Sequence, residues 1–232
     1  MNRKRRMSLL FILINLRRIK MKEIKAKVIF IEDLLGTAVN DDEVYRNYIA
    51  SKSPNASTIE DEVASIGVDE YAERQMTVFP RTSNGKPFIY DYQWKGYFKE
   101  TCSFLKKVPD TASSKIKAFK KQIDGLIFIK ERQCVIDVNG NITLCQRPLR
   151  AQTAQGERVS LSCSESIPAG SVCEFTVVLM VDSDEKLIRE WLDYGYYHGT
   201  GQWRNSGKGR FLWEELDDAG NVIGGNAKEH LN

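Results

Sequence analysis

The chain has only two histidines, His198 and His230, and five cysteines with no C-x-x-C pair among them. That leaves a Cys/His zinc site without its usual ligand spacing. Neither a Walker phosphate loop nor a dinucleotide G-x-G-x-x-G occurs, so no cofactor and no metal are expected. Membrane-length apolar runs are missing too. The stretch from Met7 to Leu16 is too short to cross a bilayer, and no small-residue cleavage site follows it. The odd cysteine count without a signal peptide points to reduced thiols in a cytoplasmic protein with no membrane partner.

A strong charge of one sign is also lacking. The formal charge is +3, but residues 1–20 hold seven basic groups and no acid. Without them 27 basic residues face 31 acidic ones, a net of −4. A nucleic-acid site must then be a local patch rather than a property of the whole surface. Residues 1–20 are expected to be an extension outside the fold, with strand patterning beginning after Met21. With 42% hydrophobic and 28% charged residues, the rest reads as an ordinary globular domain.

Ile24, Ala26, Val28 and Phe30 alternate with Lys25 and Lys27, the pattern of a strand buried on one face. Residues 40–76 read as a helical insertion, with helical patterns over 41–50 and 58–75. Strand-type sequence resumes at Met76–Pro80. Trp94, Tyr97, Phe98, Cys102 and Leu105 fall at helical spacing within Tyr92–Lys107. Asn139-Gly140 is a two-residue hairpin signal that would set Cys134 opposite Cys145, and the sheet continues through 158–161. Val172–Val181 reads as a central strand. Asp182 with Glu185 suggests a capping box opening a helix through Trp191 and Leu192, which Gly195 can end. A last strand covers 210–216, and residues 217–232 read as a flexible tail. Stripped of the insertion, the order is β-α-β-β-α-β. The expected fold class is therefore α+β, a ferredoxin-like antiparallel sheet with two packed helices in one domain over 21–216.

The richest stretch is Gly199-Thr-Gly201-Gln-Trp203-Arg204-Asn-Ser-Gly207-Lys208-Gly209-Arg210-Phe211. Two G-x-G pairs let the backbone approach a ligand with its N–H groups exposed. Arg204, Lys208 and Arg210 add positive charge, and Trp203 offers a stacking face. A phosphate-bearing chain suits that combination, with Lys95 reaching in from the first helix.

Three segments resemble the RAMP superfamily, the repeat-associated proteins of CRISPR systems. The C-terminal loop fits the superfamily's G-x-G-x5-G-x-G-x-hydrophobic pattern through Phe211. Gly85-Lys-Pro87-Phe-Ile89 with Lys95-Gly96 is similar to the G-x-P-x-I-P-G-S-S-x-K-G motif of effector-complex backbone subunits. Ile167-Pro168-Ala-Gly170-Ser171, with Phe175 beyond it, resembles the entry to the penultimate strand. Where the family has P-G-S-S, this chain has Tyr90-Asp91-Tyr92-Gln93. The resemblance implies a ferredoxin-like RNA-binding module, with phage or mobile-element membership as one possibility. Repeat-processing members use a histidine, for which His198 is the sole candidate beside the loop. Cleaving subunits use an aspartate after strand one, and Asp33, Asp41 and Asp42 lie near there without a motif to align them.

Three functions follow as expectations. The first is a module binding single-stranded RNA, or single-stranded DNA, without its own catalysis, within a nucleoprotein complex. The second is a metal-independent endoribonuclease using His198 as general base. The third is a protein-interaction module of a phage or mobile element.

Overall fold

A computed structural model describes residues 21–39, 76–153 and 156–230. Strand β1 (Lys22–Phe30) shows the expected alternation, with Ile24, Ala26, Val28 and Phe30 buried. It pairs antiparallel with β10 (Val172–Leu179) on one side and β11 (Phe211–Leu216) on the other. Beyond β10 lie β6 (Ile127–Ile129) and β7 (Gln133–Asp137), and β7 carries β5 (Phe88–Tyr90) on its far edge. Helix α1 (Asp91–Leu105) buries Trp94, Tyr97, Phe98 and Cys102 on one stripe. Helix α2 (Phe119–Leu126) follows, and helix α3 (Glu185–Asp193) buries Leu187, Ile188, Trp191 and Leu192. These stripes share one apolar cluster with the buried side chains of β1 and β10. The Tyr97 hydroxyl donates to the Trp191 carbonyl at 2.7 Å, tying α1 to α3. The spatial order β11-β1-β10-β7, with α1 and α2 before the β7/β10 pair and α3 after it, is a mixed α+β arrangement, compatible with a ferredoxin-like core.

A second sheet rests on the end of the first. Its centre is β9 (Gly156–Ile167), paired along its whole length with β8 (Thr143–Thr153). The other side of β9 meets β2 (Leu34–Leu35) and β4 (Thr77–Val78), and β3 (Ala38–Val39) pairs with β4.

Several expectations are corrected here. The Asn139-Gly140 turn forms, with Gly140 at φ 103°, but no hairpin follows it. Asn139 N–H donates to Ser171 Oγ and its side-chain amide to the Ala169 carbonyl, which pins the turn to the loop before β10. The flanking strands then diverge into different sheets. Cys134 lies opposite Ile89 and Cys145 opposite Ser164. All five cysteines are free thiols, and burial pushes Cys134 up to about 12. Asp182 is not a cap: Asp182–Asp184 form a 3₁₀ turn and the helix begins at Glu185. Gly195 does not stop the helix. A further turn, α4 (Gly195–His198), carries on to Gly199, and a Cβ at Gly195 would sit 2.3 Å from the Phe211 ring. Residue 195 is small because a core aromatic packs against its backbone.

The segment read as a flexible tail holds β12 (Val222–Gly225), which adds to β11 at the sheet edge. Asp217 Oδ1 accepts from the N–H groups of Ala219 and Asn221, and that turn reverses the chain. Asn226 Oδ1 then accepts from Trp213 N–H at 3.0 Å. The 1–20 extension and the insertion expected over 40–76, Met76 excepted, lie outside the described residues.

Candidate nucleic-acid interface

The glycine-rich loop leaves α4 and returns as β11, and its glycines clasp each other. Gly199 has φ 72° and Gly209 φ 71°. A Cβ on Gly209 would stand 1.9 Å from the Thr200 carbonyl oxygen, and one on Gly199 would stand 2.6 Å from the Gly209 carbonyl carbon. Thr200 N–H donates to the Gly209 carbonyl at 2.9 Å, and Gly209 N–H to the Asp33 carbonyl at 2.8 Å. The first and last G-x-G pairs thus form a neck that only glycine permits, anchored to the end of β1. Gly201 packs on Leu34 of β2. Gly207, at φ 85°, makes the turn within the loop.

The basic side chains are engaged within the protein. Arg204 pairs with Glu100 of α1. Lys208 Nζ lies 2.7 Å from Asp33 Oδ2, and Asp33 Oδ1 also accepts from Ala169 N–H. Arg210 Nε donates to the Tyr196 carbonyl at 2.5 Å, with the guanidinium over the Tyr196 ring. Lys95 is not brought to the loop. It donates to the Asp124 carbonyl at 3.1 Å and lies over the Phe128 ring, on the side of α1 that meets α2. The residues of α1 that face the loop are Gln93, Gly96, Tyr97 and Glu100. They line a cleft of about 220 Å³ with Leu34, Phe79 and Phe88 forming apolar walls and Arg204 at its side.

His198 stands beside Arg204 and Glu100 of α1. Its Nε2 lies 3.3 Å from Arg204 Nη1 and 3.5 Å from Glu100 Oε1. Phe104 and Tyr194 pack against the imidazole. Burial, and then the Arg204 charge, hold its pKa below the usual 6.5. Asp33, the described aspartate after β1, is a clamp between Lys208 and the loop before β10. Asp41 and Asp42 lie outside the described residues. Among the described residues, no cluster of three or more His, Cys, Asp or Glu side chains is placed to hold a metal, and no helix is long and apolar enough to cross a membrane.

Trp203 is the exposed feature of the loop. It has φ 57°, a left-handed backbone that a bulky residue rarely adopts, and it is 41% exposed. The other three tryptophans, Trp94, Trp191 and Trp213, are buried. The Arg147 guanidinium of β8 lies over the Trp203 ring, 4.6 Å from its centroid. Arg147 Nη2 donates to Gln202 Oε1 at 3.1 Å, while the Gln202 amide nitrogen donates to the Gly36 carbonyl and Thr77 Oγ1. Loop, second sheet and β2–β3 connection therefore meet at Gln202.

Glu100, Gln202 and Arg147 were not legible as site residues from sequence, and Asp33 was legible only as an aspartate after strand one that no motif aligned. Arg147 alone left a signal: it sits in period-two register with Cys145 and Leu149, a cation where the alternation calls for an apolar residue.

No protein-family profile matches the chain, and no curated protein matches it. Among solved structures, it is similar to a chain of the cryo-EM structure of the Type III-B Cmr-beta bound to cognate target RNA. The TM-score is 0.49 at 11% identity, covering 93% of this chain and 66% of that one, so this chain spans just under two thirds of that neighbour's length.

Proposed function

We propose that this protein is a RAMP-like module that binds single-stranded RNA through the Gly199–Phe211 loop, without catalysis of its own, as one component of a nucleoprotein complex. The observation that carries the reading is Trp203. A left-handed backbone at a residue with a Cβ costs about 1–2 kcal/mol and is kept only where surrounding structure enforces it. Here the glycine neck enforces it, and the result is a partly exposed indole at a loop surface. Burial of the indole would be the ordinary outcome for a residue this apolar, and the other three tryptophans follow it. A base stacking on the ring is the simplest use of the exposure.

Pairing of Arg204 with Glu100 and Lys208 with Asp33 shifts the weight of recognition. The loop is largely charge-compensated, so stacking carries more of the affinity than phosphate contacts from these side chains. Fluorescence anisotropy with a labelled oligouridylate, beside the same sequence as DNA, tests this. Trp203→Ala is expected to weaken RNA binding by about 1–3 kcal/mol, roughly 5- to 150-fold, with an almost unaltered salt slope. The Arg204, Lys208 and Arg210 triple alanine variant is expected to flatten the log–log salt slope by less than the roughly two units that three free phosphate contacts would give. Wild-type affinity in Trp203→Ala would remove the support for this function.

A further inference from the structure

Among the described cations beside the loop, Arg147 is the one with buried donors that have no hydrogen-bond partner. The residue is only 6% exposed, and its Nε and Nη1 are buried without any hydrogen-bond partner. Among the described residues no carboxylate pairs with it, whereas Arg204, Lys208 and nearby Arg81 each have one. A guanidinium does not deprotonate within a protein, so a full charge with unused donors is held under the Trp203 ring. Buried charges are ordinarily paired, and an unpaired one is unfavourable enough to call for an occupant. Gln202, locked by Gly36 and Thr77, fixes the Nη2 side of the fork. The remaining donors are thereby held ready for an incoming oxyanion.

We infer that Arg147 is the seat of a backbone phosphodiester, covered by Trp203 in the free protein and uncovered when the indole turns out to stack on a base. The inference rests on the RNA-binding reading above and deepens it: the phosphate contact of this loop comes from β8 of the second sheet, not from the loop's own Arg and Lys residues. It explains why a cation occupies an inward strand position and why the bulky residue above it belongs to a loop rather than to the core. A diester fits better than a free carboxylate ligand because charge and stacking surface lie within one nucleotide's reach of each other, 4.6 Å apart.

The test uses the full chain and three variants: Arg147→Met, Arg147→Lys and Trp203→Phe. Arg147→Met keeps the length of the side chain and removes the charge, so it is expected to melt at or above the wild-type temperature. It should bind a labelled oligouridylate of about 15 nucleotides at least tenfold more weakly, with the salt slope flattened by about 0.7. Arg147→Lys should recover part of the affinity and all of the slope. Trp203 is the only tryptophan of the four with substantial exposure, so acrylamide quenching reports on it selectively, and Trp203→Phe supplies the blank. Its quenching should change on adding the oligonucleotide or inorganic pyrophosphate at constant ionic strength, and not in Arg147→Met. If wild type binds RNA and Arg147→Met binds it equally well, the phosphate seat is wrong while the RNA-binding function stands. If wild type binds no RNA yet pyrophosphate shifts Trp203 through Arg147, the function is wrong and the anion seat stands. A marked loss of thermal stability in Arg147→Met would show the guanidinium to be part of the fold and overturn the inference. So would an equal Trp203 response to polyglutamate, which would assign the seat to an acidic protein partner.

Discussion

The glycine neck can be tested by adding one methyl group. In Gly209→Ala the new Cβ would stand 1.9 Å from the Thr200 carbonyl oxygen, a backbone atom that cannot rotate away. Relief requires the neck to open, with loss of the hydrogen bonds from Thr200 N–H to Gly209 and from Gly209 N–H to Asp33. At about 1 kcal/mol each, with a further 1–2 kcal/mol for an L-residue at φ 71°, the variant should lose about 3–4 kcal/mol. For a domain of this size that is a drop of about 6–15 °C in melting temperature. Gly207→Ala is the internal control. Its φ of 85° carries the same backbone cost, but the nearest atom to its Cβ is the Arg210 Cδ at 3.8 Å, so only about 1–2 kcal/mol should be lost. Differential scanning calorimetry of both variants measures the contrast. Equal drops would refute the view that the two G-x-G pairs exist to let the loop close on itself.

Two further outcomes follow from the same geometry. Gly96 lies inside α1 at the cleft, and a Cβ there would meet nothing within 4 Å, so Gly96→Ala should raise stability by about 0.5–1 kcal/mol, a melting shift of about 1–4 °C; a lower melting temperature would mean the cleft is narrower than described. His198 has its pKa lowered in the folded state by burial and by Arg204, so the unfolded chain binds the extra proton more readily. Its contribution to stability is therefore present above pH 6.5 and lost as pH falls from there through the lower folded value. NMR titration should place His198 below 6.5, and His198→Phe should melt with a shallower pH dependence between about pH 5 and 7; a titration midpoint at or above 6.5 would contradict the Arg204–His198 geometry.

Much of the core was legible because local periodicity carries it. The alternation Ile24, Ala26, Val28, Phe30 and the stripes on α1 and α3 each need only one element's side chains to declare which face is buried. The glycine-rich loop was equally visible, since only glycine-dense sequence builds a neck at positive φ. The fate of β8 was not legible: Asn139-Gly140 specifies a turn, but whether the outgoing strand folds back on β7 or pairs with β9 depends on contacts to residues 169 and 171. The same holds for the ends of α3, where a glycine that resembled a stop is small because Phe211 packs on it.

The candidate site divides along the same line. Sequence alone determined that a basic, glycine-rich segment with one tryptophan lies between a helix and the last strand. It could not determine which cations are spent, because each partner is far away in the chain: Glu100 lies 104 residues from Arg204, and Asp33 lies 175 residues from Lys208. Nor could it show that Arg147, 55 residues before Gln202, would come to rest beneath Trp203 with donors unused. Backbone conformation is set by neighbours in sequence, so it can be read there. Charge compensation is set by neighbours in space, and only the packing of the second sheet against the loop decided it.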